Sequence, residues 1–245
     1  MHPKVPSVSV IVPVFNGARY LEAALASVLA QSYLPGEIIV VDDGSDDDSG
    51  ARVQRMADSA PPAPIRLLHQ HQRGPGAARN RGVAASTGEI LAFLDQDDLW
   101  AATKLEQQVR CFQADPTLGI VLAHQTYFLD AGFARPAWVR PELLEKATPA
   151  VTPSALAVRR DVFAQIGGFN EEMLLWSDTD WFFRAQDAGV PLAYAPEVLV
   201  QHRIHTQNHS RMATKFHQEL LGLVQQSIRR KQARHTPGEG ASEQP

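Results

Sequence analysis

The chain has 245 residues, 44% of them hydrophobic and 20% charged, with a formal net charge of -4. That length buries a sizeable core as one domain, and the faintly acidic balance leaves no electrostatic footprint for nucleic acid, which is not expected as a partner. The single cysteine, Cys111, excludes an internal disulfide and fits a reducing compartment. No basic region followed by an apolar stretch marks a signal peptide, and no run nears the ~20 apolar residues of a membrane span. The expectation is a cytoplasmic protein, soluble or peripheral at the inner face of the membrane.

Val8 to Val12 reads as a strand ended by Pro13, and Asn16-Gly17 opens a helix with Tyr20, Leu21, Ala24, Leu25, Val28 and Leu29 on its apolar face. Pro35-Gly36 turns the chain into a second apolar strand, Glu37 to Val41, which runs into Asp42-Asp43-Gly44-Ser45. Asp46, Asp47 and Asp48 then suit the positive end of the following helix. After a proline-rich loop come a third strand, Ile65 to Leu68, and a glycine-rich turn, Gln72-Arg73-Gly74-Pro75-Gly76. A helix over Ala77 to Ala85 carries Arg79, Asn80 and Arg81 on its early turns.

The fourth strand, Ile90 to Leu94, is wholly apolar and stops in Asp95-Gln96-Asp97-Asp98. Three carboxylates that close repel one another unless a cation or open water relieves them, and a divalent metal at the strand tip would do so. Four strand–helix alternations with continuous apolar strands predict a parallel α/β sheet. Ligands of such sheets gather at the carboxyl ends of the strands, so Asp43, the turn from Arg73 to Arg79, Asp95 and Asp97 are expected to face one cleft.

Beyond Trp100 the pattern loosens. Thr103 to Ala114 is a predicted helix and Gly119 to Tyr127 a strand; residues 130–153, with their four prolines, read as a long loop able to cover a pocket. Ser154 to Val158 reads as a strand, and Arg160 to Ile166 as a short helix closed by Gly167-Gly168-Phe169. Trp176-Ser177-Asp178-Thr179-Asp180-Trp181 opens a helix reaching Ala188, followed by short strands at Leu192 to Tyr194 and Val198 to Val200. His202, His205 and His209 come next, at a spacing that is not a zinc pattern. Met212, Phe216, Leu220, Val224 and Ile228 mark an amphipathic helix over 211–234 that ends in Arg229, Arg230, Lys231 and Arg234. That basic end is either a solvated face or a surface for anionic lipid, a possible peripheral membrane contact. Residues 235–245 read as a disordered tail.

Each polar motif also has a plain structural reading. Asp42-Asp43-Gly44 is ordinary turn chemistry, Asp178 suits a helix N-cap, and Trp176 suits packing. Their combination says more. Pro13-Val-Phe-Asn16, Val41-Asp-Asp-Gly-Ser45, Gly76-Ala-Ala-Arg79-Asn80, Asp95-Gln-Asp97-Asp98, Gly167-Gly168-Phe169 and Asp178-Thr-Asp180 follow one another in an order and spacing that resembles family 2 glycosyltransferases of the GT-A fold. The resemblance covers residues 6–210. It implies an α/β fold with a Rossmann-like, mostly parallel central sheet flanked by helices, a single domain in which residues 1–98 bind a nucleotide sugar and 99–210 bind the acceptor.

The activity so implied is inverting transfer of a sugar, from UDP or dTDP, to a hydroxyl of a glycan, glycolipid or small molecule, with Mn2+ or Mg2+. Residue by residue, Pro13, Val14 and Asn16 would line the base and ribose. Asp43 would accept from the pyrimidine N3–H, Arg79 would close the other side, and Asp95 and Gln96 would lie near the ribose. Asp97 would hold the metal, with His202 or His205 as a further ligand. Asp178 would be the general base, with Asp180 as the competing assignment and Trp176 beside the acceptor. Ser177 departs from the pattern, since glutamate usually precedes the base.

Rival readings are a catalytically silent nucleotide-sugar binding protein and a nucleotidyltransferase. The latter usually shows a glycine-rich phosphate loop with a lysine near the N-terminus, which Pro13 to Gly17 is not. A Rossmann dehydrogenase lacks its G-x-G-x-x-G after the first strand.

Overall fold

A computed structural model describes residues 5–136, 139–173, 175–206 and 222–232. Val8–Val14 (β1), Glu37–Asp42 (β2) and Ile90–Phe93 (β4) are buried along their whole length, with Ile65–His69 (β3) at the sheet edge. They pair in parallel in the order β3-β2-β1-β4. Successive side chains alternate between faces. Val8, Val10, Val12 and Val14 therefore pack under Leu21–Leu29 (α1), Ser49–Asp58 (α2) and Lys104–Ala114 (α4). Ile11, Leu91 and Phe93 pack on the other face against Arg160–Ile166 (α6) and Ser177–Asp187 (α7), and Ile39 and Val41 against Pro75–Ala85 (α3). Helices on both faces explain why the strands read as unbroken apolar runs.

The sheet continues past β4 through Ala157–Arg159 (β8), Ile120–Leu129 (β6), Leu192–Ile204 (β9) and Leu99–Trp100 (β5), with Thr148–Pro149 (β7) on the side of β6. The β6–β9 ladder is long and parallel, whereas the antiparallel ladders run only two or three residues each. The sheet is thus mostly parallel. Strand order reverses at β1, and the crevice at the carboxyl ends of β1, β2 and β4 is where such sheets hold ligands.

The structure departs from the sequence expectations in four places. The first helix begins only at Leu21, because Asn16 adopts the left-handed region (φ 50°) and Gly17 completes a turn. Residues 130–153 are not merely loop: Pro141–Glu145 (α5) and β7 lie there, and Val139 and Ala150 are buried. The strand expected from Ser154 starts at Ala157, since Pro153 nucleates a 3-10 turn over Pro153–Ala155. The two short strands expected after Leu192 are one strand, β9, whose register against β6 slips around Pro196, a residue with no N–H to give the ladder. Of the C-terminal helix, residues 222–232 are described as helical (α8); Met212, Phe216, Leu220, His209, Arg234 and the tail lie outside the described residues.

Helix α8 docks through Leu223, which is buried, and through Asp187 at the end of α7. Asp187 accepts from Ser227 Oγ and Arg230 Nε, both at 2.7 Å, and lies 3.6 Å from Lys231 Nζ. The basic end is therefore partly engaged within the protein. Among the described residues no helix is long and apolar enough to cross a membrane.

At the opposite end of the sheet, Gly88 lets β4 start tight against β1. A Cβ there would lie 2.5 Å from the Ser9 backbone nitrogen. Gly88→Ala is expected to destabilise the protein by about 1–3 kcal/mol, as overpacking against backbone does. Gly36→Ala, whose Cβ would meet nothing nearer than 3.6 Å, should cost far less. Urea unfolding of the two variants checks this.

Candidate active site

The loops after β1, β2 and β4 are laced together at the crevice. Gln96 accepts from the Phe15 amide at 2.9 Å and donates back to its carbonyl at 3.1 Å. Gly17 makes room for that amide, since a Cβ there would sit 2.3 Å from Gln96 Oε1. Asn16 joins the β1 and β2 loops, donating its amide to Ser45 Oγ and accepting from the Asp46 amide, both at 3.0 Å. Pro13 and Val14 close β1 beside Val41 and Asp42. Pro13, Val14, Asn16 and Gln96 are thus brought to one edge of the crevice.

Asp43 is buried and its oxygens accept from Gln70 Nε2 and the Arg73 and Gly74 amides at 2.7–2.8 Å. It therefore shapes the turn that starts α3, a role the sequence reading missed. Arg79 on α3 is buried, donates to Asp95 Oδ1 at 2.6 Å and lies over the Phe169 ring. Its partner is the strand-tip carboxylate.

At the end of β4 the three carboxylates are relieved by three different groups. Asp95 has Arg79. Asp97 Oδ2 lies 2.8 Å from His205 Nε2, and His205 is buried against Tyr20 with ring centroids 4.7 Å apart. Asp98, fully buried, accepts from Ser154 Oγ at 2.6 Å and from the Arg203 amide at 3.1 Å, and lies 2.9 Å from His202 Nδ1. The 3-10 turn that replaced an expected strand is what delivers Ser154, whose Oγ also accepts from the Asp95 amide.

The two histidines proposed as metal ligands therefore differ. Burial alone would lower His202, but the charge and hydrogen bond of Asp98, with the charges of Asp97 and Asp95, outweigh it and hold the imidazole at about 9. Its Nδ1 lies on Asp98, which makes it a counter-ion of that carboxylate. His205 faces Asp97. A carboxylate oxygen beside an imidazole nitrogen suits Mn2+, with substrate phosphates and water completing the shell. Among the described residues no group of three or more acidic, histidine or cysteine side chains is placed to hold a metal ion.

Asp178 sits partly buried in the first turn of α7, accepting from the Thr179 amide at 2.8 Å. Burial pushes its carboxyl above the usual range; the Arg79 charge and that amide oppose the shift, and Asp95 adds to it. Among the described residues no cation pairs with it directly, and it retains proton-accepting capacity. Asp180 is placed otherwise. It is buried and bonds Arg184 Nε at 2.8 Å, while Arg184 holds the carbonyls of Ile166 and Gly168. Asp180, the competing assignment for the base, thus clamps the end of α6 through Arg184. Trp176 precedes Asp178 as the N-cap residue of α7. Ser177, where a glutamate was expected, is buried against α3, its Cβ and Oγ each 3.2 Å from where a Cβ on Gly76 would be.

A family model described as Glycosyl transferase family 2 matches residues 9–167. An uncharacterized glycosyltransferase of Nostoc sp. is 32% identical over 235 residues, covering 90% of this chain and 72% of its own. Other curated relatives are longer, and the chain spans only 37% and 36% of two of them. Among solved structures, the mannosyltransferase PcManGT of Pyrobaculum calidifontis, in complex with GDP-Man and Mn2+, matches with TM-score 0.71 and 24% identity, over 92% of this chain and 65% of its own. TarS of S. aureus in complex with UDP-GlcNAc matches with TM-score 0.72 and 18% identity, over 91% and 66%. At these identities the two structures establish the fold.

The ion pair of His202 with Asp98 makes stability depend on pH. A histidine raised from 6.5 to about 9 on folding contributes stability fully below the lower value and loses it as pH rises through the upper one. Urea unfolding between pH 6 and pH 10 should show the wild type losing on the order of 1 kcal/mol per pH unit above neutrality. His202→Gln should be less stable at pH 6 and flatter across the range.

Proposed function

The chain belongs to glycosyl transferase family 2, and from that membership we propose that it transfers a sugar from a uridine or thymidine diphosphate sugar to an acceptor hydroxyl, inverting the anomeric centre. The observation that carries this reading is the meeting of Asp97 and His205 at the carboxyl end of β4 while Asp178 stands at the start of α7. One pair is suited to a metal-bound diphosphate and the other carboxylate to an acceptor proton. We divide the domain accordingly: residues 1–98 hold the donor, and residues 99–210 bring the acceptor and the base.

Asp43 supports the choice of base. A carboxylate offers about four acceptor positions, and three are already used by Gln70, Arg73 and Gly74. The one that remains suits the single N3–H of uracil or thymine better than the paired N1–H and amino donors of guanine. Arg79, fixed by Asp95, closes the sugar side of the pocket. When bound, a Mn2+ ion held by Asp97 and His205 offsets the charge that builds on the departing diphosphate.

The protein's own groups perform the rest. Asp178, with its raised carboxyl, accepts the proton of the acceptor hydroxyl as that oxygen attacks the anomeric carbon, and the bond from that carbon to the diphosphate oxygen breaks on the opposite face. Trp176, two residues before the proposed base, is assigned to the acceptor side. The biological setting is assembly of a polysaccharide, glycolipid or other glycoconjugate.

Calorimetric titration of UDP, dTDP and GDP with Mn2+ tests the donor half. UDP or dTDP should bind at least tenfold more tightly than GDP, and Asp178→Asn should leave that binding intact while lowering transfer by a factor of 100 or more, the scale of a lost general base. A preference for GDP, or full transfer by Asp178→Asn, contradicts the reading.

A further inference from the structure

Asp97 and His205 come from different ends of the chain, and one buried cluster fixes both. Arg203, between His202 in β9 and His205 just past its end, donates its Nε to the Asp97 carbonyl at 3.0 Å and its amide to Asp98 Oδ1 at 3.1 Å. Its Nη1 reaches Asp130 Oδ1, at the end of β6, at 3.3 Å. The guanidinium lies between two rings, 4.9 Å from the centroid of Tyr20 and 4.5 Å from that of Phe128. Asp130 is itself buried and also accepts from Tyr20 Oη at 3.0 Å and Arg19 Nη2 at 2.5 Å. The Tyr20 ring in turn packs on His205.

We propose that Arg203, braced by Asp130 and Tyr20, is a positioning residue that sets Asp97 and His205 in the relative placement a divalent cation requires. The proposal rests on the assignment of Asp97 and His205 as the cation's protein ligands. Three properties of the cluster carry it. The planar fork of arginine serves the Asp97 carbonyl and the Asp130 carboxylate in two directions at once, which a lysine ammonium on a flexible stem does not. The rings of Tyr20 and Phe128 hold the guanidinium in plane, a contact worth more when it is shielded from water. The cluster also joins the entry to α1, the end of β6 and the end of β9, so the Asp97 turn and His205 move as one body. Loss of a group that orients metal ligands typically costs about 10- to 100-fold in metal affinity.

The test measures Mn2+ binding by calorimetry in the full chain saturated with UDP, for wild type, Arg203→Lys and Tyr20→Phe. UDP binding without metal and the melting temperature are recorded in parallel. Arg203→Lys should weaken Mn2+ about 10-fold or more while metal-free UDP binding stays within twofold of wild type. Tyr20→Phe, which removes only the hydroxyl bond to Asp130, should weaken Mn2+ in the same direction by less, and it decides the matter should Arg203→Lys fail to fold. Unchanged Mn2+ affinity in a folded Arg203→Lys, or in Tyr20→Phe if only that variant folds, overturns the proposal. Wild-type protein that binds UDP but no Mn2+ overturns the ligand assignment beneath it, a failure visible before any variant is compared.

Discussion

Repulsion among carboxylates at the carboxyl ends of parallel strands is the constraint on which the rest of this structure depends. The strands bring Asp42, Asp43, Asp95, Asp97 and Asp98 to one rim, and the second half of the chain adds Asp130 and Asp178. Each needs a counter-charge or a set of donors, or its ionisation would oppose folding. Asp43 has two backbone amides and Gln70; Asp95 has Arg79; Asp98 has His202, Ser154 and a backbone amide; Asp130 has two arginines and a tyrosine. Asp97 faces only a neighbouring imidazole among the contacts described, and Asp178 only backbone amides. These two least neutralised positions are the ones where the proposed chemistry needs a metal and a base.

The donors come from a distance, which explains the architecture of the second half. Strand β9 is anchored by its long parallel ladder with β6 and delivers His202, Arg203 and His205 to the tip of β4. The 3-10 turn at Pro153 brings Ser154 there from another direction. Segment 167–172 closes over α3 through Asn80, which exchanges hydrogen bonds with Phe169, and through Glu171, which takes both Asn80 and Arg73. Asp178 follows that segment, so the proposed base inherits its placement from α3 and thereby from Asp43.

Sequence patterning was most legible where burial on both faces imposes it. The continuous apolar runs of β1, β2 and β4 announce their own boundaries to within a residue or two, and the acids that follow β2 and β4 mark the candidate site. Contacts that join remote segments left no such trace. Nothing in the spacing of Asp130 or Arg203 links them to Asp97, and nothing in Leu105, Val109 and Phe112 shows that Lys104 and Gln108 beside them are buried too, with Lys104 Nζ donating to Gln108 Oε1 at 2.7 Å. His202 and His205 read alike in sequence. Only the fold, with Asp98 before one and Asp97 before the other, tells them apart. Pro196 misled in a different way, since a slip in one long ladder resembles the gap between two short strands.

The most direct test of this account is a crystal structure of the protein with UDP and Mn2+, read at the manganese absorption edge. The account predicts one anomalous peak within coordination distance of Asp97 and His205, in contact with the diphosphate, with His202 still on Asp98 and Asp178 facing the space beyond the diphosphate. A peak liganded by neither Asp97 nor His205, or UDP bound away from the tips of β1, β2 and β4, would contradict it.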